Sequence, residues 1–173
     1  MKVNLQDLVL DSRILKAGQK VLIRGTIYTA RDAAHDRIVK MLDCNKEIPF
    51  KLENVTIYYC GPSPAKPGAI IGACGPTTSS RMDIFTPRLL REGVKFLIGK
   101  GVRSRVVVDS IKQNSAVYFV VTGGVAALLS KTVKKVNLIA FEDLGPEAIY
   151  KLEVEDMPLI VAIDSFGDTV FKI

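Results

Sequence analysis

The sequence predicts an α/β domain in which short apolar strands alternate with amphipathic helices. Runs rich in Val and Ile recur along the chain, and Gly, Pro, Asp and Asn bound them, as is typical of strands. Several runs are apolar at every position, which indicates strands that helices cover. Of the 173 residues, 48% are hydrophobic, and a chain of this length can bury one sizeable core. We therefore expect a single domain over residues 1–173.

The predicted elements follow in chain order. Strands are predicted at residues 21–29, 55–60, 69–74, 94–99, 116–122, 136–141, 159–163 and 169–173. Helices are predicted at residues 33–43, 84–93, 104–114 and 124–135, where apolar residues recur at helical spacing. Asp32 and Ser104 precede two of these helices and suit the N-cap position. Three prolines and two glycines in residues 59–69 indicate a loop within the domain rather than a linker.

The charge of the chain is compatible with an anionic ligand. The formal net charge is +6, but the basic residues are scattered and form no block. This favours a small anionic substrate at least as much as nucleic acid. The densest group, Lys131, Lys134 and Lys135, is expected on the solvated face of a helix.

Cysteine spacing and hydropathy indicate in which cellular compartment the protein is expected. Cys44, Cys60 and Cys74 are widely spaced and form no CxxC pair, so we expect reduced thiols that fill the core. No apolar run reaches the length of a membrane span, and the first residues lack a signal-peptide pattern. These features favour a cytoplasmic protein.

Residues 75–83, which we call the GPTTSSRMD segment, are the first candidate for chemistry. The segment follows the predicted strand 69–74 and opens a predicted helix, and the free N–H groups of a helix start bind anions. Arg81 adds a planar fork that matches a carboxylate or a phosphate. Alternatively, Thr77 and Ser79 are caps, and Arg81 pairs with Asp83 or with another acidic residue of the surface. The segment is not a Walker loop, since it lacks the GxxxxGK[ST] spacing.

Three other junctions carry similar residues. TARDAAHDR (residues 29–37) holds Arg31, Asp32 and His35, and Arg31 at a helix start suits an anion, although Asp32 and His35 also fit a purely structural role. Lys100 lies between two glycines in IGKG, as an anion contact or an exposed turn residue. Gly123 and Gly124 allow either close approach of a ligand or helix packing. Ligands of open α/β sheets bind at the carboxyl ends of strands, where these junctions can converge.

The motifs together resemble a known family. GPTTSSRMD and GKG, with TARDAAH, YYCGPSPAKPG, VTGGVAALL and KLEVEDMPLIVAID, are similar in order to the iron-sulfur hydro-lyases of the class I fumarase and tartrate dehydratase type. The resemblance covers nearly the whole chain and corresponds to the C-terminal domain, which is a separate beta subunit in two-component members. It implies the swivelling β/β/α fold, a mixed sheet with flanking helices.

The resemblance also implies an activity and a partner. The family hydrates fumarate to (S)-malate reversibly, using a [4Fe-4S] cluster that three cysteines of an alpha subunit hold. None of the cysteines of this chain is then a cluster ligand. The expected assembly is an alpha2beta2 heterotetramer, and the chain alone is expected to be inactive.

Site residues follow from the matched motifs. Arg31, Arg81 and Lys100 correspond to contacts with substrate carboxylates, and Thr78 to a further substrate contact. Thr77 corresponds to a proton-transferring residue, although a threonine hydroxyl needs assistance because it is a very weak acid. The supporting residues implied are Asp32, His35, Asp83, Gly123 and Gly124. Ser79-Ser80 departs from the family pattern, and we expect these hydroxyls to act as caps.

Two alternatives remain open from the sequence. The first is a tartrate dehydratase beta subunit, since the motifs suit carboxylates and do not distinguish substrates by the number of their hydroxyl groups. The second is a stand-alone module that binds anions or nucleic acid. Scattered basic residues and the lack of an RRM, KH or helix-turn-helix signature speak against nucleic acid.

Overall fold

A mixed sheet of seven strands organises the chain, and the structure, a computed structural model, describes residues 1–121 and 126–172. The strands are β1 (Lys2–Asn4), β2 (Lys20–Thr29), β3 (Thr56–Tyr58), β4 (Phe96–Gly99), β5 (Val117–Val120), β6 (Val133–Ala140) and β7 (Ile149–Ile163). The α-helices are α1 (Leu5–Leu10), α2 (Asp32–Asp43), α3 (Thr86–Arg91), α4 (Arg105–Gln113) and α5 (Ala126–Thr132). Shorter 3-10 turns cover Ser12–Ile14, Ser79–Met82 and Glu142–Glu147. This mixed sheet with flanking helices confirms the predicted α/β class.

Strand β7 closes the sheet because it pairs along both of its edges. β2 runs antiparallel along one edge, from Lys20 opposite Ile160 to Tyr28 opposite Lys151. β6 and β5 pair antiparallel with β7 along the other edge. Since β2, β3, β4 and β5 pair in succession, the order of hydrogen-bonded strands returns to β7. The sheet therefore curls into a small barrel.

Strands β2 to β5 are parallel, and helices connect them. α2 leads from β2 to β3, α3 from β3 to β4, and α4 from β4 to β5. Parallel neighbours need such crossovers, and the residues that follow each strand consequently lie at one edge of the sheet. In the described ranges, none of the helices has the length and apolar character needed to cross a membrane.

The core consists of two apolar clusters on opposite faces of the parallel strands. Ile57 and Leu97 belong to one cluster, whereas Tyr58 and Phe96 belong to the other. Neighbouring residues of a strand point to opposite faces, so both faces of β3 and β4 are buried. This burial explains why their sequences are largely apolar on both faces.

Residues 69–74 form no strand, and that prediction is wrong. Ser63 N donates to Ala73 O at 3.0 Å, and Ala73 N donates to Ser63 Oγ at 2.8 Å. The segment therefore folds back onto the proline-rich loop that precedes it. Its apolar character arises because Ile71 and Cys74 are buried in a core cluster, which a loop can achieve as well as a strand.

The helix predicted at residues 124–135 is too long at its C-terminal end. α5 ends one residue before β6, which begins at Val133. Lys134 and Lys135 therefore lie on a strand, and Lys135 is opposite Glu153 of β7. Pairing with β7 decides this boundary against the helical spacing of the lysines, because tertiary contacts override a local pattern.

The two ends of the chain also differ from the prediction. Residues 2–10, for which no element was predicted, form β1 and α1. Of the strand predicted at residues 169–173, the described part forms an isolated bridge between Thr169 and Ile163. Short terminal elements depend on the sheet they pair with, and local sequence signals them weakly.

The cysteines are free thiols in two kinds of environment. Cys60 and Cys74 are buried as expected, with 3.1 Å between their Sγ atoms. Cys44 is exposed at the C-terminal end of α2, so the expectation that it fills the core is wrong. Cys44 is the C-cap residue at which α2 ends, and its side chain lies at the surface instead of packing against the sheet.

Truncation of Ile27 tests the pairing of β2 with β7. Ile27 is fully buried and lies opposite Leu152. We expect Ile27→Ala to lower the free energy of unfolding by about 2–5 kcal/mol, because it leaves a cavity in the core. Urea denaturation measures this change. The control is Ile14→Ala, at a residue that is 53% exposed, and we expect it to change the free energy of unfolding by less than about 0.5 kcal/mol. Equal losses in the two variants would contradict the buried position of Ile27 between β2 and β7.

Candidate active site

Residues from three junctions meet at the carboxyl ends of the parallel strands. Arg31 follows β2, Tyr59 follows β3 and Lys100 follows β4. β3 pairs with both β2 and β4, so these positions are neighbours along one edge. Two of the four junctions that the sequence singles out, those of Arg31 and Lys100, therefore lie at this edge. The fourth junction, with Gly123 and Gly124, lies outside the described residues.

The GPTTSSRMD segment docks on this edge through its backbone. Thr77 N donates to Tyr59 O at 2.7 Å, and Ser79 N donates to Lys100 O at 3.0 Å. Thr78 forms a parallel bridge with Lys100. The segment thus extends the sheet at the ends of β3 and β4, instead of following a strand of its own as predicted. It then enters the 3-10 turn Ser79–Met82, which carries Arg81.

Ser79 fixes the position of Lys100. Its buried Oγ accepts a hydrogen bond from Lys100 N at 2.9 Å and another from Tyr118 OH at 2.9 Å. Ser79 makes no capping bond, so the expectation that it is a cap is wrong. Gly99 permits this contact, because a Cβ at that position would overlap Ser79 Oγ and lie 2.8 Å from Tyr59 Cδ2. The first glycine of GKG is therefore required by close packing.

Arg31 and Arg81 share a carboxylate. Asp32 Oδ1 accepts a hydrogen bond from Arg81 Nε at 2.9 Å, and its Oδ2 lies 3.9 Å from a terminal nitrogen of Arg31. The same nitrogen lies 3.4 Å from Glu147 Oε1. Glu147 Oε2 in turn accepts a bond from Ala33 N at 2.9 Å. Two carboxylates thus hold two guanidinium groups at the start of α2.

Asp32 differs from its predicted place by one residue. The N-cap of α2 is Arg31, and Asp32 is the first helical residue. Its carboxylate still lies where the helix dipole favours negative charge, but it binds Arg81 instead of capping the helix. The contact between residues 32 and 81 depends on tertiary structure and could not be predicted from local capping patterns.

His35 lies beneath Arg31 as a neutral ring. Its Nδ1 donates to Arg31 O at 2.8 Å, since a carbonyl oxygen can only accept, and Nε2 is buried without a hydrogen-bond partner among the described residues. The ring packs against Tyr59 and Phe85. The pKa of His35 is lowered to about 4, chiefly because the ring is buried and also because Arg103 is charged, against the hydrogen bond to the Arg31 carbonyl, which raises it. His35 therefore supports the backbone of Arg31 as an uncharged group near neutral pH.

Asp83 pairs with an arginine that the sequence analysis missed. Its Oδ1 accepts from Arg103 Nε at 2.7 Å, and its Oδ2 accepts from Ser104 N at 2.7 Å. The structure therefore pairs Asp83 with Arg103, and not with Arg81, the partner considered from the sequence. Arg103 is almost fully buried, with a relative exposure of 2%. The signal available in the sequence was the position of Arg103, two residues after GKG and directly before the predicted N-cap Ser104.

Glu147 is the second residue that sequence reasoning missed. It lies in the 3-10 turn Glu142–Glu147 and is separated from its partner Ala33 by 114 residues. Neither a motif nor a helical spacing connects such distant positions. Gly61 completes the surroundings of Arg31, because a Cβ there would lie 3.0 Å from Arg31 Cδ. The YYCGPSPAKPG loop thus packs directly on the arginine.

The remaining site residues present polar groups to solvent. Thr77 is half-buried, whereas Thr78 and Lys100 are exposed, and Arg81 has a side-chain exposure of 52%. Three cations surrounded by two carboxylates leave a net positive charge at this edge. Exposed guanidinium and ammonium groups next to hydroxyls can bind the carboxylates of a small anion.

The described residues do not fit an iron-sulfur cluster. Among residues 1–121 and 126–172, no three His, Cys, Asp or Glu side chains form a group that could hold a metal ion. Cys60 and Cys74 are in contact, but Cys44 lies apart from them at the exposed end of α2. A cluster held by thiolates needs more cysteines together than this arrangement offers.

The low pKa of His35 makes a prediction about acid stability. The pKa in the folded chain, about 4, is below the usual value of 6.5, so between these values the unfolded chain binds more protons and stability falls as pH falls. The contribution of the neutral His35 to the free energy of unfolding is fully present above pH 6.5, and it amounts to about 3 kcal/mol. Urea denaturation at several pH values should show this loss in the native chain and a shallower slope in His35→Asn. Identical slopes would contradict a buried neutral His35.

Close packing at Gly99 gives a second prediction. We expect Gly99→Ala to lower the free energy of unfolding by about 3 kcal/mol, because the new methyl group displaces Ser79 and Tyr59. Adding Ser79→Gly should recover part of this loss, since it removes the atom that would be displaced. Urea denaturation of both single variants and the double variant measures the coupling. Strictly additive losses would show that the two residues do not compete for space.

Comparison with known proteins identifies the family of this chain. The family model described as Fumarase C-terminus matches residues 1–173. This chain is 38% identical to a Methanocaldococcus jannaschii protein that is named as a putative beta subunit of an L(+)-tartrate dehydratase. The match extends over 168 residues, which are 94% of this chain and 86% of that protein.

Two fumarate hydratases are similar over a part of their length. Fumarate hydratase 2 of Leishmania major is 37% identical over 90% of this chain, and the anaerobic class I fumarate hydratase of Escherichia coli is 36% identical over 88%. The matched region spans 28% of each of these two proteins. By the whole-length match to the family model, this chain belongs to the Fumarase C-terminus family, whose relatives named here are hydro-lyases.

Proposed function

We propose that this chain is the beta subunit of an iron-sulfur hydro-lyase that hydrates fumarate to (S)-malate reversibly. One observation carries the proposal. Arg31, Arg81 and Lys100 meet at one edge of the sheet, and each is held by backbone or carboxylate contacts. A dicarboxylate needs cations at both of its ends, and this edge offers two planar forks and one ammonium.

The contacts of the two arginines leave donors for a substrate. Arg81 uses Nε for Asp32, and its terminal nitrogens donate no hydrogen bond to another described residue. Its two terminal nitrogens can therefore face a carboxylate. Arg31 is held from one side by Asp32 and Glu147, which orients the guanidinium group before substrate binds. Such preorganisation reduces the cost of ordering the site.

Thr77 is the proposed proton-transferring residue. Its backbone is fixed by Tyr59, and its hydroxyl makes no hydrogen bond to another described residue. A threonine hydroxyl is too weak an acid to exchange a proton unaided near neutral pH. The cations beside it would have to stabilise the alkoxide, or a carboxylate of the partner subunit would have to accept the hydroxyl proton. We assign Thr78, exposed next to it, to the substrate contacts.

The rest of the site belongs to a partner in this proposal. An alpha subunit with three cluster-ligating cysteines carries the [4Fe-4S] cluster, which supplies a Lewis acid for the substrate carboxylate and hydroxyl. The absence of a metal-holding group among the described residues of this chain is compatible with that division. We propose an alpha2beta2 heterotetramer in the cytoplasm, and no activity for the beta subunit alone.

Tartrate is the second candidate substrate. The relative that this chain matches over 86% of its length is named as a tartrate dehydratase subunit, whereas the fumarate hydratases match over 28% of theirs. Both substrates carry two carboxylates, so the same cations suit either of them. Turnover of fumarate, malate and the tartrate stereoisomers by one preparation distinguishes the two activities.

Substitution of Arg81 tests the proposal. The chain is co-expressed with the alpha subunit, and the complex is reconstituted with iron and sulfide under anaerobic conditions. We expect Arg81→Met to lower kcat/KM for the dicarboxylate by about 100-fold, because it removes charged hydrogen bonds to a carboxylate. Steady-state kinetics measure the ratio.

The matched control is Arg91→Met at an exposed arginine of α3, which should leave kcat/KM unchanged. A stable, cluster-loaded complex that turns over neither fumarate, malate nor tartrate would refute the proposed function. An active complex in which Arg81→Met behaves like Arg91→Met would refute the role of Arg81 alone.

A further inference from the structure

Arg103 is a buried cation at the centre of the packing behind the site. Its guanidinium lies between two aromatic rings, 5.3 Å from the ring centre of Tyr59 and 5.0 Å from that of Tyr118. Its side chain has a relative exposure of 0%, and the carboxylate of its partner Asp83 has one of 13%. A charge removed from water to this degree is tolerated only where hydrogen bonds and an opposite charge compensate it.

All three nitrogens of the guanidinium group have partners. Nε donates to Asp83 Oδ1 at 2.7 Å, one terminal nitrogen donates to Thr86 Oγ1 at 2.7 Å, and the other donates to Tyr59 OH at 3.3 Å. The partners come from three separate parts of the chain: the end of β3, the C-terminal end of the GPTTSSRMD segment and the start of α3. The planar fork of arginine holds them in one fixed geometry, which an ammonium group cannot do.

Two hydrogen-bond partners of Arg103, and one of the rings that it contacts, lead directly to residues of the candidate site. Asp83 follows the 3-10 turn that carries Arg81. Tyr59 accepts the backbone bond from Thr77 N. Tyr118, whose ring contacts the guanidinium, donates to Ser79 Oγ, the atom that also accepts from Lys100 N. A displacement of Arg103 would therefore move Thr77, Arg81 and Lys100 relative to one another.

We propose that Arg103 is a positioning residue that fixes the GPTTSSRMD segment against the GKG turn. It does not touch the substrate, and it acts through Asp83, Tyr59 and the Tyr118–Ser79 pair. The effect on geometry stands on the contacts of this chain alone, while the effect on turnover rests on the proposed function. A well-packed apolar side chain can replace many buried ion pairs without loss of stability, so stability alone does not account for an arginine here.

Nuclear magnetic resonance of the full 173-residue chain tests the geometry without any substrate. The Nε–Hε signal of Arg81 reports its bond to Asp32, and the amide signals of Thr77 and Lys100 report their bonds to Tyr59 and Ser79. We expect Arg103→Lys, which keeps the charge but loses the fork, to shift or broaden these three signals. Thr86→Val, which removes one acceptor of Arg103, should cause smaller shifts in the same direction.

Two controls separate positioning from a general loss of stability. Arg105→Lys changes an exposed arginine whose ion pair is with Asp109, and it should leave the three signals in place. Leu129→Ala truncates a buried side chain of the other core cluster, and it should lower the melting temperature without moving the signals. If Arg103→Lys lowers the melting temperature as Leu129→Ala does and leaves the signals unmoved, Arg103 is a packing residue and the proposal fails.

Turnover of the reconstituted complex completes the test. We expect Arg103→Lys to lower kcat/KM by about 10- to 100-fold at unchanged occupancy of folded complex, because small displacements of contact groups are costly. Arg105→Lys should retain the full rate. Unmoved kinetics in an active complex would overturn the proposal. The two tests can also disagree. If the signals shift in Arg103→Lys, the positioning role is supported; if the native complex hydrates no dicarboxylate, the hydro-lyase function is refuted instead.

Discussion

The antiparallel pairing of β7 with β2 determines where the candidate site lies. β7 also pairs with β5, so it holds the first and last of four consecutive parallel strands together. The sheet is thereby curled, and the carboxyl ends of β2, β3 and β4 form one compact edge. The loops that follow these strands carry Arg31 and Lys100, and they bring both residues near the GPTTSSRMD segment.

Electrostatic balance explains how several cations remain close together before any ligand binds. Arg31 and Arg81 share Asp32, and Glu147 contacts Arg31 from a distant part of the chain. These carboxylates reduce the repulsion between the guanidinium groups, and they do not neutralise the site completely, because Lys100 remains as well. An edge with this balance attracts anions while the folded chain stays stable.

The site has a polar outer layer and a buried support. Arg81 and Lys100 are exposed, whereas His35, Ser79 and Arg103 are buried directly behind them. His35 is neutral because burial lowers its pKa, and Arg103 is charged, with a hydrogen bond from each of its three guanidinium nitrogens. Buried groups held by such hydrogen bonds restrict the positions that the exposed side chains can take. In the proposed enzyme this rigidity presents the cations in a fixed arrangement to a substrate shared with the partner subunit.

The sequence determined the fold class, the helices α2 and α4 to within a residue, and the residues on which the site hypothesis rests. These features are local: apolar periodicity, capping residues and short motifs such as GPTTSSRMD and GKG are read within a few positions of the chain. The resemblance of the motifs to a hydro-lyase family is likewise confirmed, since the family model matches the whole chain.

Tertiary structure alone decided which partners these residues have. Residues 69–74 are apolar because they form a buried loop, and Ser79 supports Lys100 because Gly99 leaves space for it. Glu147 meets the start of α2 across more than a hundred residues, and Asp83 pairs with Arg103. Such contacts arise from the closure of the sheet and from packing in three dimensions. Local patterns in the sequence carry no record of them, because residues far apart in the chain become neighbours only when the sheet has formed.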